Sequence, residues 1–263
     1  MRVLSAAAVL LAGLLTGGCA AKDPFAGAQA DAAAGAAASP TASPFVPEAT
    51  ATPVPAADVA ARPRIEGRYV LAALERRVAL RARPAGRVIR RLEARTEFGS
   101  HTVLSVTARR PGWLQVLTPE LPNHRRGWIP AGAATLAGTD YEIRVDRSAR
   151  RAALRRDGRT VLRFPVAVGR PGNETPLGRF AVTDKLRPHD PTSPYGCCAI
   201  ALTGHQTKLE PGWPGGDRLA IHGTPATWTI GKAVSLGCMR ADAAALKRLL
   251  RRVPLGAPVR IVA

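Results

Sequence analysis

Apolar and polar positions divide the chain into four stretches. Arg2 is followed by a mostly apolar run from Val3 to Leu15, and then by Thr16, Gly17, Gly18 and Cys19. A basic residue, a short apolar run and small residues form the layout of a secretory signal. The run is shorter than the roughly 20 residues that a stable membrane-spanning helix requires. From Lys22 to Ala61, 22 of 40 residues are Ala or Pro, so there is no periodic apolar face to bury and the stretch reads as a flexible, partly extended tether. Between Ile65 and Leu136, short apolar runs bounded by turn residues predict strands over 76–82, 88–92, 103–108, 113–117 and 127–130. That spacing suggests a small β-barrel.

The last stretch is again rich in strand signals. Tyr141, Ile143 and Val145 alternate with charged neighbours, the period of a half-buried strand. Asp157-Gly158 between 152–156 and 160–168 predicts a tight hairpin turn. Further strands are expected over 179–185, 198–202 and 218–222, and one helix from Ala243 to about Arg251 with Asp242 as its N-cap. The chain thus divides into a signal over 1–21, a tether over 22–61, a small barrel over 62–137 and a mainly β domain with one helix over 138–263.

Composition narrows the picture. The chain has 263 residues, and 46% of them are hydrophobic, enough to exclude wholesale disorder. The formal charge of +19 is spread over both folded stretches, with 15 basic and 5 acidic residues in 62–137 and 21 and 10 in 138–263. Such a surface is drawn to polyanions. The sequence lacks the aromatic interleaving and recognition helix of a nucleic-acid binder, and export points instead to anionic polymers of the cell envelope. Only five of the 38 cations are lysine, a bias that genome base composition alone also produces.

Chemistry is offered by His222, at the end of the apolar run Leu219-Ala220-Ile221, and by Cys238, sixteen residues later in Ser235-Leu236-Gly237-Cys238-Met239-Arg240. A helix start and Arg240 close to Cys238 would favour the thiolate, which is the nucleophilic form. Gly237 removes a side chain beside the sulfur, and backbone N–H groups of the turn are candidates for holding an oxyanion. His222 is placed to take the thiol proton and return it to a leaving amine. A buried cysteine and a satisfied histidine would explain the pair equally well if nothing else surrounded it.

The surroundings are specific. Val166-Ala167-Val168-Gly169, Thr175-Pro176-Leu177-Gly178-Arg179-Phe180, Ile221-His222-Gly223-Thr224 and Ser235-x-Gly237-Cys238-x-Arg240 resemble the successive motifs of the L,D-transpeptidase, or YkuD, catalytic domain. The resemblance implies a β-sandwich-like domain that cross-links peptidoglycan. Cys238 would attack the peptide bond after the third residue of a tetrapeptide stem, expel D-alanine and form a thioester, which then passes to an amine acceptor. It implies His222 as base and acid, with Ser235, Gly237, Gly223 and Thr224 shaping the site and Arg240 steering a carboxylate or bracing the loop. It also implies peptidoglycan stem peptides as partners, carbapenem-type acylating inhibitors, and no cofactor or metal. The chain departs from the family at Leu236, where many members carry a second histidine, so the alternative is an inactive peptidoglycan-binding envelope protein. A papain-like peptidase usually places Cys before His, which argues against that class.

Val78-Ala79-Leu80, Gly112-Trp113-Leu114-Gln115-Val116 and Gly127-Trp128-Ile129 resemble a bacterial SH3-like module of cell-wall proteins. Trp113 and Trp128 would either contact the wall or fill a barrel core. The residues before Cys19 resemble a bacterial lipobox, with Thr16 departing from it. Cys19 would then be lipidated and anchor the protein to the membrane; ordinary cleavage after Ala21 is the competing reading. Cys197 and Cys198 would form a vicinal disulfide, pair elsewhere or stay buried as small hydrophobes, and adjacent cysteines lack the usual zinc spacing. His189 and His205 read as loop residues; His101 and His124 are given no role.

Overall fold

The computed structural model describes residues 65–188, 190, 192–211 and 216–263. The expected signal, Cys19, tether and His189 lie outside them.

Seven strands form the first sheet: β1 (Tyr69–Ala73), β2 (Val78–Arg81), β3 (Val88–Leu92), β4 (Val103–Arg110), β5 (Trp113–Leu117), β6 (Gly127–Pro130) and β7 (Thr135–Thr139). They pair antiparallel in the order β3-β2-β6-β5-β4-β1-β7. Alternation decides which residues go inside: Val78 and Leu80 of β2 and Leu114 and Val116 of β5 enter one core with Leu74, Leu104 and Ile129. Trp128 is buried and is a core aromatic, whereas Trp113 is half-buried. The strands expected at 88–92, 113–117 and 127–130 have those bounds, but β1 and β7 were not foreseen. Their sequences, YVLAA and TLAGT, contain the Ala and Gly that strands disfavour, and they pair with each other in register from Tyr69↔Thr139 to Ala73↔Thr135.

Ten strands and one helix follow: β8 (Tyr141–Asp146), β9 (Arg151–Arg156), β10 (Arg159–Pro165), β11 (Val168–Gly169), β12 (Gly178–Leu186), β13 (Ala199–His205), β14 (Arg218–His222), β15 (Ala233–Ser235), β16 (Met239–Arg240), α1 (Ala243–Arg252) and β17 (Pro258–Val262). Eight of these form a mixed sheet in the order β10-β9-β8-β17-β12-β13-β14-β16, and β11 and β15 form a small parallel pair. Asp157 and Gly158 close the β9–β10 hairpin, both with positive φ (49° and 75°), the geometry of the two-residue turn expected there. Asp242 caps α1 by accepting from the Ala245 N–H at 2.8 Å. The helix buries Ala245, Leu246 and Leu249 into the core of the sheet. Ile221, Met239 and Leu246 are fully buried, and each contributes about 1.5–3 kcal/mol by leaving water.

The two sheets are tied by polar contacts. Asn123 Nδ2 donates to the His205 carbonyl at 2.7 Å, and the His205 N–H donates back to Asn123 Oδ1 at 2.9 Å. Thr96 Oγ1 donates to Asp184 Oδ1 at 2.5 Å. His205 is therefore not the solvated loop residue its Gly- and Pro-rich neighbourhood implied. It ends β13, with Nδ1 3.0 Å from Asp217 Oδ1 and Nε2 2.7 Å from the Pro119 carbonyl.

Candidate active site

His222 ends β14, and Cys238 immediately precedes β16. The two strands pair in parallel with Ile221 opposite Met239 and His222 opposite Arg240. Side chains of paired strands alternate in step, so Ile221 and Met239 enter the core while Cys238, His222 and Arg240 share the other face. The sequence order His then Cys, sixteen apart, thus becomes a diagonal across two neighbouring strands. The crossover between them passes through a short 3-10 turn (Thr227–Thr229) and β15, and it leaves Trp228 71% exposed.

The turn carrying the thiol is fixed by three side chains. Ser235 Oγ donates to the Cys238 carbonyl at 2.5 Å and accepts from the Gly237 N–H at 3.1 Å. Thr175 Oγ1, fully buried, donates to the Gly237 carbonyl at 2.7 Å and accepts from the Gly169 N–H at 2.9 Å. Gln206 Nε2 donates to the Leu236 carbonyl at 2.8 Å and to the Asn173 carbonyl at 3.1 Å. Gly237 has φ of 124°, and a Cβ there would sit 2.2 Å from Gln206 Nε2, so both the backbone and the space demand glycine. Cys238 Sγ lies 3.7 Å from the Arg218 carbonyl, and the sulfur is half-buried.

His222 is buried, and its Nδ1 lies 2.6 Å from the Gly223 carbonyl. A carbonyl only accepts, so Nδ1 carries the hydrogen and Nε2 is left as the basic nitrogen. Burial pushes the ring pKa down to about 4; the Gly223 bond opposes this, and the positive charge of Arg240 adds to it. The imidazole is therefore neutral near pH 7. Tyr195 packs edge-on against it, with ring centroids 4.9 Å apart.

Gly223 and Thr224 face a close-packed segment. The Gly223 N–H donates to the Cys198 carbonyl at 2.9 Å, and a Cβ on Gly223 would meet the Tyr195 carbonyl at 2.9 Å. Thr224 Oγ1 accepts from the Ala226 N–H at 3.1 Å. Of the three readings of the adjacent cysteines, the structure has the vicinal disulfide Cys197–Cys198, which leaves Cys238 as the cysteine of the described residues outside a disulfide.

Two expectations about electrostatics change. β16 and Asp242 intervene between Cys238 and the helix, and the Asp242 carboxylate occupies the helix start, so the sulfur does not sit at the N-terminus of α1. The Gly237 N–H is engaged by Ser235 Oγ and braces the turn instead of facing a substrate. Arg240 is held through its backbone, as any residue there would be: its N–H donates to the Ala167 carbonyl at 3.1 Å and its carbonyl accepts from the Ala167 N–H at 2.8 Å.

Gln206 and Arg218 were missed by the sequence reading. The Arg218 guanidinium donates to the Leu202 carbonyl at 2.8 Å and to Thr183 Oγ1 at 2.8 Å. It also forms an ion pair with Glu97 of the first sheet's β3–β4 loop. The strand that presents His222 is thereby anchored to the other sheet. No motif marks either residue, because each acts through partners that are distant in sequence.

Residues 140–261 match the family model of YkuD, the L,D-transpeptidase catalytic domain. The curated protein "Putative L,D-transpeptidase YkuD" of Bacillus subtilis (strain 168) is 31% identical over 121 residues, 46% of this chain and 65% of that protein. Its namesake from Bacillus licheniformis is 32% identical over the same shares. The chain thus spans a little under two thirds of the length of these relatives. Among solved structures, an L,D-transpeptidase from Mycobacterium smegmatis is 18% identical with a TM-score of 0.41, covering 62% of this chain and 92% of that one. L,D-transpeptidase 3 from Mycobacterium tuberculosis, in complex with a faropenem-derived adduct, has the same identity, TM-score and coverage.

Proposed function

We infer, from the L,D-transpeptidase catalytic domain that residues 140–261 match, that this chain is an envelope L,D-transpeptidase acting on peptidoglycan stems. The observation that carries the reading is a half-buried thiol on a turn held by Ser235, Thr175 and Gln206, next to the strand pair β14–β16 that also carries a neutral imidazole. Nε2 of His222 takes the proton from Cys238 as Sγ attacks the carbonyl after the third residue of a tetrapeptide stem. The tetrahedral adduct collapses, the imidazolium protonates the departing nitrogen of D-alanine, and a thioester remains on Cys238. An amine of the acceptor then attacks the thioester and gives its proton to His222; the new amide leaves as the thiol is restored.

Leu236 supports activity better than the inactive alternative, because the turn uses its backbone carbonyl and the base stands on β14. The seven-stranded sheet serves as an SH3-like module that sets the catalytic sheet on the wall. Export through the N-terminal signal, with Cys19 lipidated, places both outside the cytoplasmic membrane.

Intact-mass spectrometry after incubation with a tetrapeptide stem or a carbapenem tests the reading. A covalent adduct is expected on the parent chain, none on Cys238→Ala, and a much slower one on His222→Ala. A folded, reduced protein that takes up neither reagent would sink it.

A further inference from the structure

A row of like charges crosses the outer face of the eight-stranded sheet. Arg179 on β12 stands opposite Arg260 on β17, and Arg260 opposite Arg144 on β8. Beyond Arg144 come Ala153 on β9 and then Arg163 on β10. Their strand neighbours Phe180, Ile261, Val145, Leu154 and Phe164 are in the core, so alternation turns all four arginines outward. Among the described residues none of the four makes an ion pair. At about 4.8 Å per strand the row is about 19 Å long.

Composition accounts for many arginines but not for this register. In the flanking rows Glu142 stands opposite Arg155 and Asp146 opposite Arg151, so charges there are paired by sign. The row between them lines up three arginines on consecutive strands, an arrangement that lowers sheet stability. Two surface depressions extend it. One of about 450 Å³ is lined by Arg144, Arg151, Arg155 and Arg163 with one acid, Asp146. The other, of about 440 Å³ at the junction with the first sheet, is lined by Arg68, Arg109, Arg179 and Arg260 with one acid, Glu142.

We propose that this face binds an extended anionic polymer whose repeat is a phosphodiester on a polyol backbone. Guanidinium groups grip phosphate oxygens two at a time, and a transverse row at strand spacing suits a flexible chain laid across the sheet. Ala153 within the row and Pro258 and Val262 beside it on β17 are aliphatic. Among the described residues the one partly exposed aromatic ring on this face, Tyr69 in the second depression, is too little for a run of bases to stack on, which sets a polyol phosphate apart from nucleic acid. The row lies on β10, β9, β8, β17 and β12, away from the β14–β16 edge that carries Cys238, and the proposal stands whether or not the transpeptidase reading does.

The test is calorimetric titration of the full chain with poly(glycerol phosphate) over a range of sodium chloride concentrations. It is repeated with single-stranded DNA of equal phosphate number, and with the quadruple variant Arg144→Gln, Arg163→Gln, Arg179→Gln, Arg260→Gln. The parent should bind the polymer more tightly than the DNA and release it as salt rises. The variant should bind it about tenfold more weakly or worse, with a flatter salt dependence, an equal or higher melting midpoint and unchanged acylation by a carbapenem. If the quadruple variant fails to fold, the double variant Arg144→Gln, Arg260→Gln gives the same reading on a smaller scale. No binding by the parent, equal binding by the folded variant, or DNA bound as tightly as the polymer each overturns the proposal.

Discussion

The two ends of the eight-stranded sheet are held by different means. At the β8–β9–β10 end, Ile143, Val145, Leu154 and Phe164 enter the core from a regular ladder that runs from Tyr141↔Arg156 to Asp146↔Arg151. At the β14–β16 end the ladder has two rungs, and the chain path depends on Ser235, Thr175 and Gln206 reaching backbone carbonyls. The first end spreads its stabilisation over many interchangeable apolar contacts, while the second concentrates positioning in a few hydrogen bonds without substitutes. Truncation at the first end should therefore cost stability and leave chemistry intact, and a change at the second should cost chemistry as well as stability.

The largest expected effect comes from Leu154→Ala, which empties a fully buried position. It should cost roughly 2–5 kcal/mol in chemical denaturation, with the carbapenem acylation rate of the remaining folded protein unchanged. An acylation rate that fell in step with stability would show that the two ends are not separable.

Next is the pH response of the catalytic end. In the unfolded chain the His222 ring takes up a proton near its ordinary value of 6.5, and in the folded chain only near 4. The unfolded state thus holds the extra proton between those values, and stability falls as pH drops from 6.5 to 4, by about 3 kcal/mol in all. His222→Asn should flatten that part of the stability profile, as read from denaturant midpoints. In the parent, the acid limb of Cys238 acylation should lie near pH 4; a limb near 6.5 would mean that the ring is not desolvated as its burial implies.

The same contrast explains what was legible in the sequence. Short apolar runs bounded by turn residues located β5, β6 and β14 to the residue, and Asp157-Gly158 named its own turn, because these signals are local. Four motifs located the catalytic end because His222, Gly237 and Cys238 are themselves unusual in their setting. β1 and β7 were lost because their alanines and glycine carry little strand signal, although they complete each other in register. The two-residue strands β11 and β16 are too short for any periodicity. The close pairing of Cys198 with Gly223, and of Asn123 with His205, joins residues 25 and 82 positions apart, and nothing in either segment announces the other.

Gln206 gives the smallest effect and the sharpest one. Its amide donates to the carbonyls of Leu236 and Asn173, and leucine in its place would leave both acceptors buried without a donor. Loss of a buried hydrogen bond of this kind costs about 1–3 kcal/mol. Because one of the carbonyls belongs to the turn that aims Cys238, part of that cost should appear as a fall of about tenfold to thirtyfold in acylation rate, with KM for the stem substrate nearly unchanged. Gln206→Glu discriminates positioning from simple packing. Its carboxylate has no hydrogen to donate at neutral pH, so it should be as slow as Gln206→Leu. Once protonated it regains a donor, so its rate relative to the parent should recover as pH is lowered towards 5, while that of Gln206→Leu should not. Equal pH profiles for the two variants would mean that Gln206 only fills space behind Gly237.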